Sequence, residues 1–233
     1  MELSMRTLTC RSLSLSLVLA ALVAPAAMGA NILTDPGFES NPLDTATNVL
    51  NNFVTYQGVW GQENSTRVNV DLGITPLSGQ WQMRMDSTGG SYTQSFQMVD
   101  VTSYAALIDA NNAQLFASAY FNSNAQAAFG GIGVSFFTGN TYGTLFGPSP
   151  TSFFTLDGAA NSWEQSTLSM TIPSGARWIL FQTGFLDSSL SIPGAIGAGF
   201  VDDAFMEIRQ VPTPGAAALL GLGGLMASRR RRV

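Results

Sequence analysis

Gln80-Trp-Gln-Met-Arg-Met-Asp86 alternates apolar and polar residues, which puts Trp81, Met83 and Met85 on one face and Gln82 and Arg84 on the other. Successive side chains of a strand point to opposite faces, so this period of two predicts a half-buried strand with Trp81 in the core. Residues 166–172 read the same way, with Leu168, Met170 and Ile172 inward, and in 177–185 Ile179, Phe181 and Phe185 share a face. Further short apolar runs lie at 54–60, 67–70, 92–101, 113–121, 130–137, 152–156 and 199–208. Turn formers such as Ser78-Gly79, Gly89-Gly90, Gly139-Asn140 and Asp157-Gly158 separate them. Only 103–110 has a helical look. The spacing predicts an all-β domain, a sandwich or barrel of about eight to ten antiparallel strands.

Both ends of the chain carry other signals. Arg6 and Arg11 precede the apolar run 13–23, and Pro25-Ala-Ala-Met-Gly-Ala30 follows it. That order predicts a signal peptide over 1–30, cut by signal peptidase after Gly29, with Ala27 at the −3 position, or after Ala30. The apolar run falls short of the roughly 20 residues a spanning helix needs. At the other end, Val211-Pro-Thr-Pro214 leads into the apolar run 215–227 and then Arg229, Arg230, Arg231 and Arg232. The prolines end the last strand, the apolar run predicts a short membrane helix, and the arginines stay on the cytoplasmic side and stop translocation. Residues 31–210 remain as one domain, long enough for one good core and free of internal repeats.

The tail 211–233 resembles the PEP-CTERM sorting domain of exported Gram-negative bacterial proteins: Pro212, Thr213 and Pro214, then the Gly/Leu/Ala-rich helix, then the arginine cluster. Thr213 stands where that family has glutamate. The resemblance implies processing by an exosortase, a membrane cysteine transpeptidase, and an association with exopolysaccharide. Asn31-Ile-Leu-Thr-Asp-Pro-Gly-Phe-Glu39 is similar to the opening strand of carbohydrate-binding modules with the galactose-binding-like jelly roll. Gly199-Phe-Val-Asp-Asp-Ala-Phe-Met-Glu-Ile208 is similar to their closing strand. That resemblance implies a jelly-roll β-sandwich whose first and last strands are neighbours. It also implies a structural calcium held by Glu39 and one of Asp202 and Asp203, since consecutive strand residues face opposite ways.

Composition narrows the chemistry. The chain has no lysine and no histidine, and its one cysteine, Cys10, lies in the predicted signal. Ser-His-Asp and Cys-His catalysis and histidine-ligated zinc are therefore excluded. Of the 15 Asp and Glu residues, all but Glu2 lie within 31–210, against Arg67, Arg84, Arg177 and Arg209, a formal charge of −10 for the segment. Such a surface repels phosphate backbones, so nucleic acid is not a partner. Sugar binding uses aromatic faces helped by planar polar groups. Tyr56 and Trp60 share a strand face beside the loop 61–65 and form the expected platform, and Trp163 opens its strand on the face opposite Leu168 and Met170. The leading reading is an exported, non-catalytic surface or matrix protein that associates with exopolysaccharide. The alternatives are a structural protein that self-associates in the matrix and a carboxylate-based glycan hydrolase, for which no acid pair stands out.

Intact mass and cell fractionation from the native host test the two ends. Loss of both the signal and the residues beyond 211–214 is expected; a full tail retained in the membrane fraction would make it a plain anchor.

Overall fold

The computed structural model describes residues 29–40, 58–125, 127–189 and 196–211. Residues 1–28 of the expected signal, Tyr56, and Pro212, Thr213, Pro214, Arg229, Arg230, Arg231 and Arg232 lie outside the described residues. Among the described residues no helix is long and apolar enough to cross a membrane.

Among the described residues eleven strands form: β1 (Trp60–Gln62), β2 (Ser65–Val68), β3 (Gln82–Thr88), β4 (Thr93–Asp100), β5 (Ala113–Ser123), β6 (Ala128–Phe137), β7 (Leu145–Phe146), β8 (Thr151–Thr155), β9 (Glu164–Thr171), β10 (Trp178–Asp187) and β11 (Ile196–Gln210). The count exceeds the expected eight to ten because edge pieces as short as β7 carry no alternation to read. One short helix, α1 (Ala105–Asp109), sits on the β4–β5 connection where the sequence predicts it.

The strands form two antiparallel sheets of a β-sandwich jelly roll. One runs β1-β4-β10-β6-β7 with β8 also paired to β6; the other runs β2-β3-β11-β5-β9. Alternation puts Met83 and Met85 of β3, Leu115 and Phe121 of β5, and Val201, Met206 and Ile208 of β11 on the inner face of the second sheet. They meet Val99 of β4, Ile132, Val134 and Phe136 of β6, and Ile179, Phe181 and Phe185 of β10, all buried in one core. Ala117 and Ala119 of β5 join the same core, where small side chains leave room for the rings facing them.

Trp81 departs from the reading of its strand. It precedes β3, is half-buried, and carries the Arg67 guanidinium over its ring at 3.9 Å. The alternation of Met83 and Met85 holds, but the strand begins one residue too late to carry Trp81 inward.

β11 is the longest strand. It pairs with β3 through Val201 and with β5 along most of its length. Between Asp202 and Phe205 three steps on β11 match two on β5, a β-bulge, and Asp203 takes a φ of 46°, a left-handed conformation that Asp tolerates better than most residues. Past the bulge the side that β3 has left is taken by the opening segment. Ala204 donates its N–H to Pro36 O at 2.9 Å, and Ile32 donates to Met206 O at 2.8 Å. The first and last segments are thus neighbours.

Candidate functional site

The outer face of the six-stranded sheet carries a groove of about 490 Å³ lined by Tyr92, Gln94, Phe129, Thr151, Phe153, Gln182 and Leu186. Its layout follows from strand register. Gly184 of β10 lies opposite Gln94 of β4 and Gly131 of β6, and Gly131 lies opposite Phe153 of β8; one row over, Gln182 lies opposite Gly133, which faces Thr151. The floor lacks side chains because of its glycines. A Cβ on Gly184 would stand 1.6 Å from the Tyr92 hydroxyl, and one on Gly131 would stand 2.6 Å from the Phe153 Cα. Glycine inside a strand marks a close approach, and here it lets two aromatic rings lie down on the sheet.

Those rings are Tyr92, 46% exposed, and Phe153, 39% exposed. They meet edge to face with centroids 5.7 Å apart. Large apolar side chains left this open are informative where they cluster. Beside them Gln182 Nε2 donates to Gln94 Oε1 at 2.8 Å. Among the described residues Nε2 of Gln94 and Oε1 of Gln182 make no hydrogen bond, so the pair presents a free amide nitrogen as donor and a free amide oxygen as acceptor. Burial, with the charge of Glu63 adding to it, pushes the Tyr92 phenol up to about 12. Its hydroxyl therefore stays protonated and able to donate. Among the described residues no charged side chain lines the groove.

The fold has solved counterparts. A protein from Bacteroides thetaiotaomicron assigned to sugar binding matches with a TM-score of 0.51 at 11% identity, over 77% of this chain and 100% of its own. TmCBM61 in complex with β-1,4-galactotriose matches at 0.48 and 12%, over 77% and 99%. The CBM22-1 xylan-binding domain from Paenibacillus barcinonensis Xyn10C matches at 0.41 and 11%, over 75% and 98%. At these identities the likeness is one of fold. No family model and no curated protein matches the chain.

Of the residues expected to bind sugar from sequence, Trp60 and Trp163 do not line this groove, and Tyr56 lies outside the described residues. Trp60 is 3% exposed. It packs between Phe38, at 4.9 Å, and Phe181, at 6.0 Å, and its indole N–H donates to Thr34 O and Asp35 O. It is a core residue, because β1 turns that face toward the other sheet. Trp163 is half-buried against the small cluster of Ile74, Ala198 and Phe200 and donates to Thr75 O at 3.2 Å. Its face is thereby spent on packing. The site residues that sequence reading missed had one signal: glycines 131, 133 and 184 inside strands that alternation already identified.

Glu39, Asp202 and Asp203 do converge. A Cβ on Gly37 would stand 3.6 Å from Asp203 Oδ1, 3.8 Å from Asp202 Oδ1 and 3.8 Å from Glu39 Cγ. The bulge interrupts the strand alternation, so the side chains of Asp202 and Asp203 both reach the turn that Glu39 also contacts. All three carboxylates act as acceptors for the turn before β3. Glu39 Oε1 accepts the N–H groups of Gln80 and Trp81 at 2.9 Å each. Asp202 Oδ2 accepts those of Leu77 and Ser78, its Oδ1 accepts that of Asp203, and Asp203 Oδ1 accepts the Ser78 hydroxyl at 2.7 Å. Among the described residues no three Asp, Glu, His or Cys are grouped to hold a metal ion.

Asp202 is fully buried. Desolvation pushes its carboxyl up to about 7, the Asp203 charge adds to the rise, and the backbone donors of Ser78, Asp203 and Leu77 oppose it. In the unfolded chain an aspartate titrates near 3.9, so the folded state keeps a proton that the unfolded state has lost. The stabilisation is complete below about pH 4 and is lost as pH rises through about 7. In thermal melts from pH 4 to 8, Asp202→Asn should gain on the wild type as pH rises; a constant difference would show that Asp202 does not titrate in this window.

Proposed function

We propose that this is an exported, non-catalytic glycan-binding protein whose groove on the six-stranded sheet takes a neutral sugar chain. One observation carries the reading: two exposed rings, Tyr92 and Phe153, lie beside the Gln94–Gln182 amide pair in a groove whose described lining carries no charged side chain. Pyranose rings offer an apolar C–H face and a rim of hydroxyls, which an aromatic face and planar amides complement. The lack of lysine and histidine and the excess of acids argue against acidic glycans as ligands. The described lining of the groove is built of aromatic, amide, hydroxyl and apolar side chains, which suit binding rather than acid–base hydrolysis. The assignment of the B. thetaiotaomicron protein of similar fold to sugar binding agrees with this reading. Export and sorting rest on the two terminal segments, with signal peptidase and an exosortase as processing partners. The reading places the protein at the cell envelope or outside, held at the inner membrane through its tail during sorting, with exopolysaccharide as the natural ligand.

The test is affinity electrophoresis of the purified protein in gels cast with neutral and uronic-acid polysaccharides, with product analysis alongside. Retardation by a neutral polymer and no released reducing ends are expected. Tyr92→Ala and Phe153→Ala should each weaken binding by about 2 kcal/mol, roughly thirtyfold in Kd, while circular dichroism stays that of the wild type. Trp163→Ala should bind normally. Retardation only by uronic-acid polymers, or equal retardation of all variants, would refute the site.

Calcium fits this arrangement poorly, because the oxygens of Glu39, Asp202 and Asp203 already receive N–H and O–H donors, and a cation would have to displace them. Melts with millimolar calcium and with chelator should therefore coincide. A midpoint raised by calcium would show that the ion binds the folded state and displaces these donors.

A further inference from the structure

The opening residues of the domain lie against the last strand. Asn31 Nδ2 donates to Ala204 O at 2.9 Å, Asn31 Oδ1 accepts from Met206 N at 3.0 Å, and Ile32 N donates to Met206 O at 2.8 Å. One step upstream the path passes Glu207: a Cβ on Gly29 would stand 2.8 Å from Glu207 Oε2. Glu207 is 0% exposed; its Oε1 meets the Arg209 guanidinium, and its Oε2 accepts no hydrogen bond. Its ion-pair partner among the described residues is Arg209, two positions along the same strand. That guanidinium lies over the Phe116 ring at 5.3 Å, and its Nε also lacks a hydrogen bond. The paired strand β5 places Phe116 opposite Glu207 and Gln114 opposite Arg209, and neither is charged. A buried carboxylate with unmet acceptor capacity is costly, and a cationic donor relieves it.

We propose that this donor is the α-ammonium of the mature chain, made when signal peptidase cuts between Gly29 and Ala30. Hydrolysis adds water across that bond. The carboxylate leaves on the signal, and the amine stays on Ala30 and takes up a proton. In the precursor that nitrogen is a neutral amide with one N–H; afterwards it carries a charge and three donors beside Glu207. Processing therefore completes an ion pair that fastens the opening segment to β11. The proposal rests on the signal-peptide reading and is independent of the glycan groove, so either can fail alone.

The chain contains no lysine, so the α-amine is the only primary amine in the protein and amine-reactive labels report on it alone. Protein exported with its own signal is purified and its first residue established by intact mass. Acetic anhydride labelling is then followed against pH, natively and in urea. An ordinary α-amine titrates at about 7.7–8.0, and pairing with Glu207 should raise the native value by about one unit or more, slowing labelling about tenfold near pH 7. Glu207→Gln should abolish the rise, and Glu207→Asp should keep part of it. Should Glu207→Gln not fold, the native-against-urea comparison on the wild type suffices, because burial alone lowers an amine's pKa whereas pairing raises it. A native pKa at or below the urea value, a rise that survives in Glu207→Gln, or a first residue other than Ala30 would overturn the proposal.

Discussion

Everything in the five-stranded sheet is tied to β11. Its N-terminal half bonds β3 on one side, its length bonds β5 on the other, and past the bulge the opening segment takes the side that β3 has left. The partners of this last strand lie far back in the sequence. Closing such loops costs entropy before any contact repays it, so the sheet is complete only when the final strand docks. The aliphatic and sulfur side chains of β11 supply the compensating burial, with Val201, Met206 and Ile208 in the main core.

The bulge at Asp202 is what lets one strand serve two neighbours. The extra residue kinks β11, frees a run of backbone groups for Asn31, Ile32 and Pro36, and brings Asp202 and Asp203 round to the same turn. Glu39 and Asp202 then do for residues 77–81 what a strand partner would do, accepting N–H groups that have no ladder to join, and Asp203 accepts the Ser78 hydroxyl. One of them, Asp202, is buried deeply enough that its proton is held to about pH 7.

The six-stranded sheet solves a different problem. Its inner face fills the core, while its outer face divides into a packed apolar cluster of Phe96, Met98, Phe137, Trp178 and Leu180 and the groove of Tyr92, Gln94, Phe153 and Gln182. The division follows the side chains along β6 and β10. Where both strands carry large residues the face is covered, and where they carry Gly131, Gly133 and Gly184 it is hollow. The groove is thus a property of the glycines as much as of the rings that border it.

Strand positions, the helical connection and the sandwich class were legible in the sequence because alternation is a local consequence of strand geometry, and burying one face of each sheet requires it. The expected export and sorting signals rest on a linear order of charge, apolar run and small residues, in segments outside the described residues. What lies across strands was not legible. Trp60 and Tyr92 are both aromatic residues at strand ends, and only register and sheet order send the first into the core and leave the second open on a glycine floor. The pairing of Asp202 with Asp203 and the meeting of Glu207 with Gly29 were hidden for the same reason. Each joins residues through a bulge or across a span of some 170 positions, and side-chain alternation carries no information about which strands become neighbours.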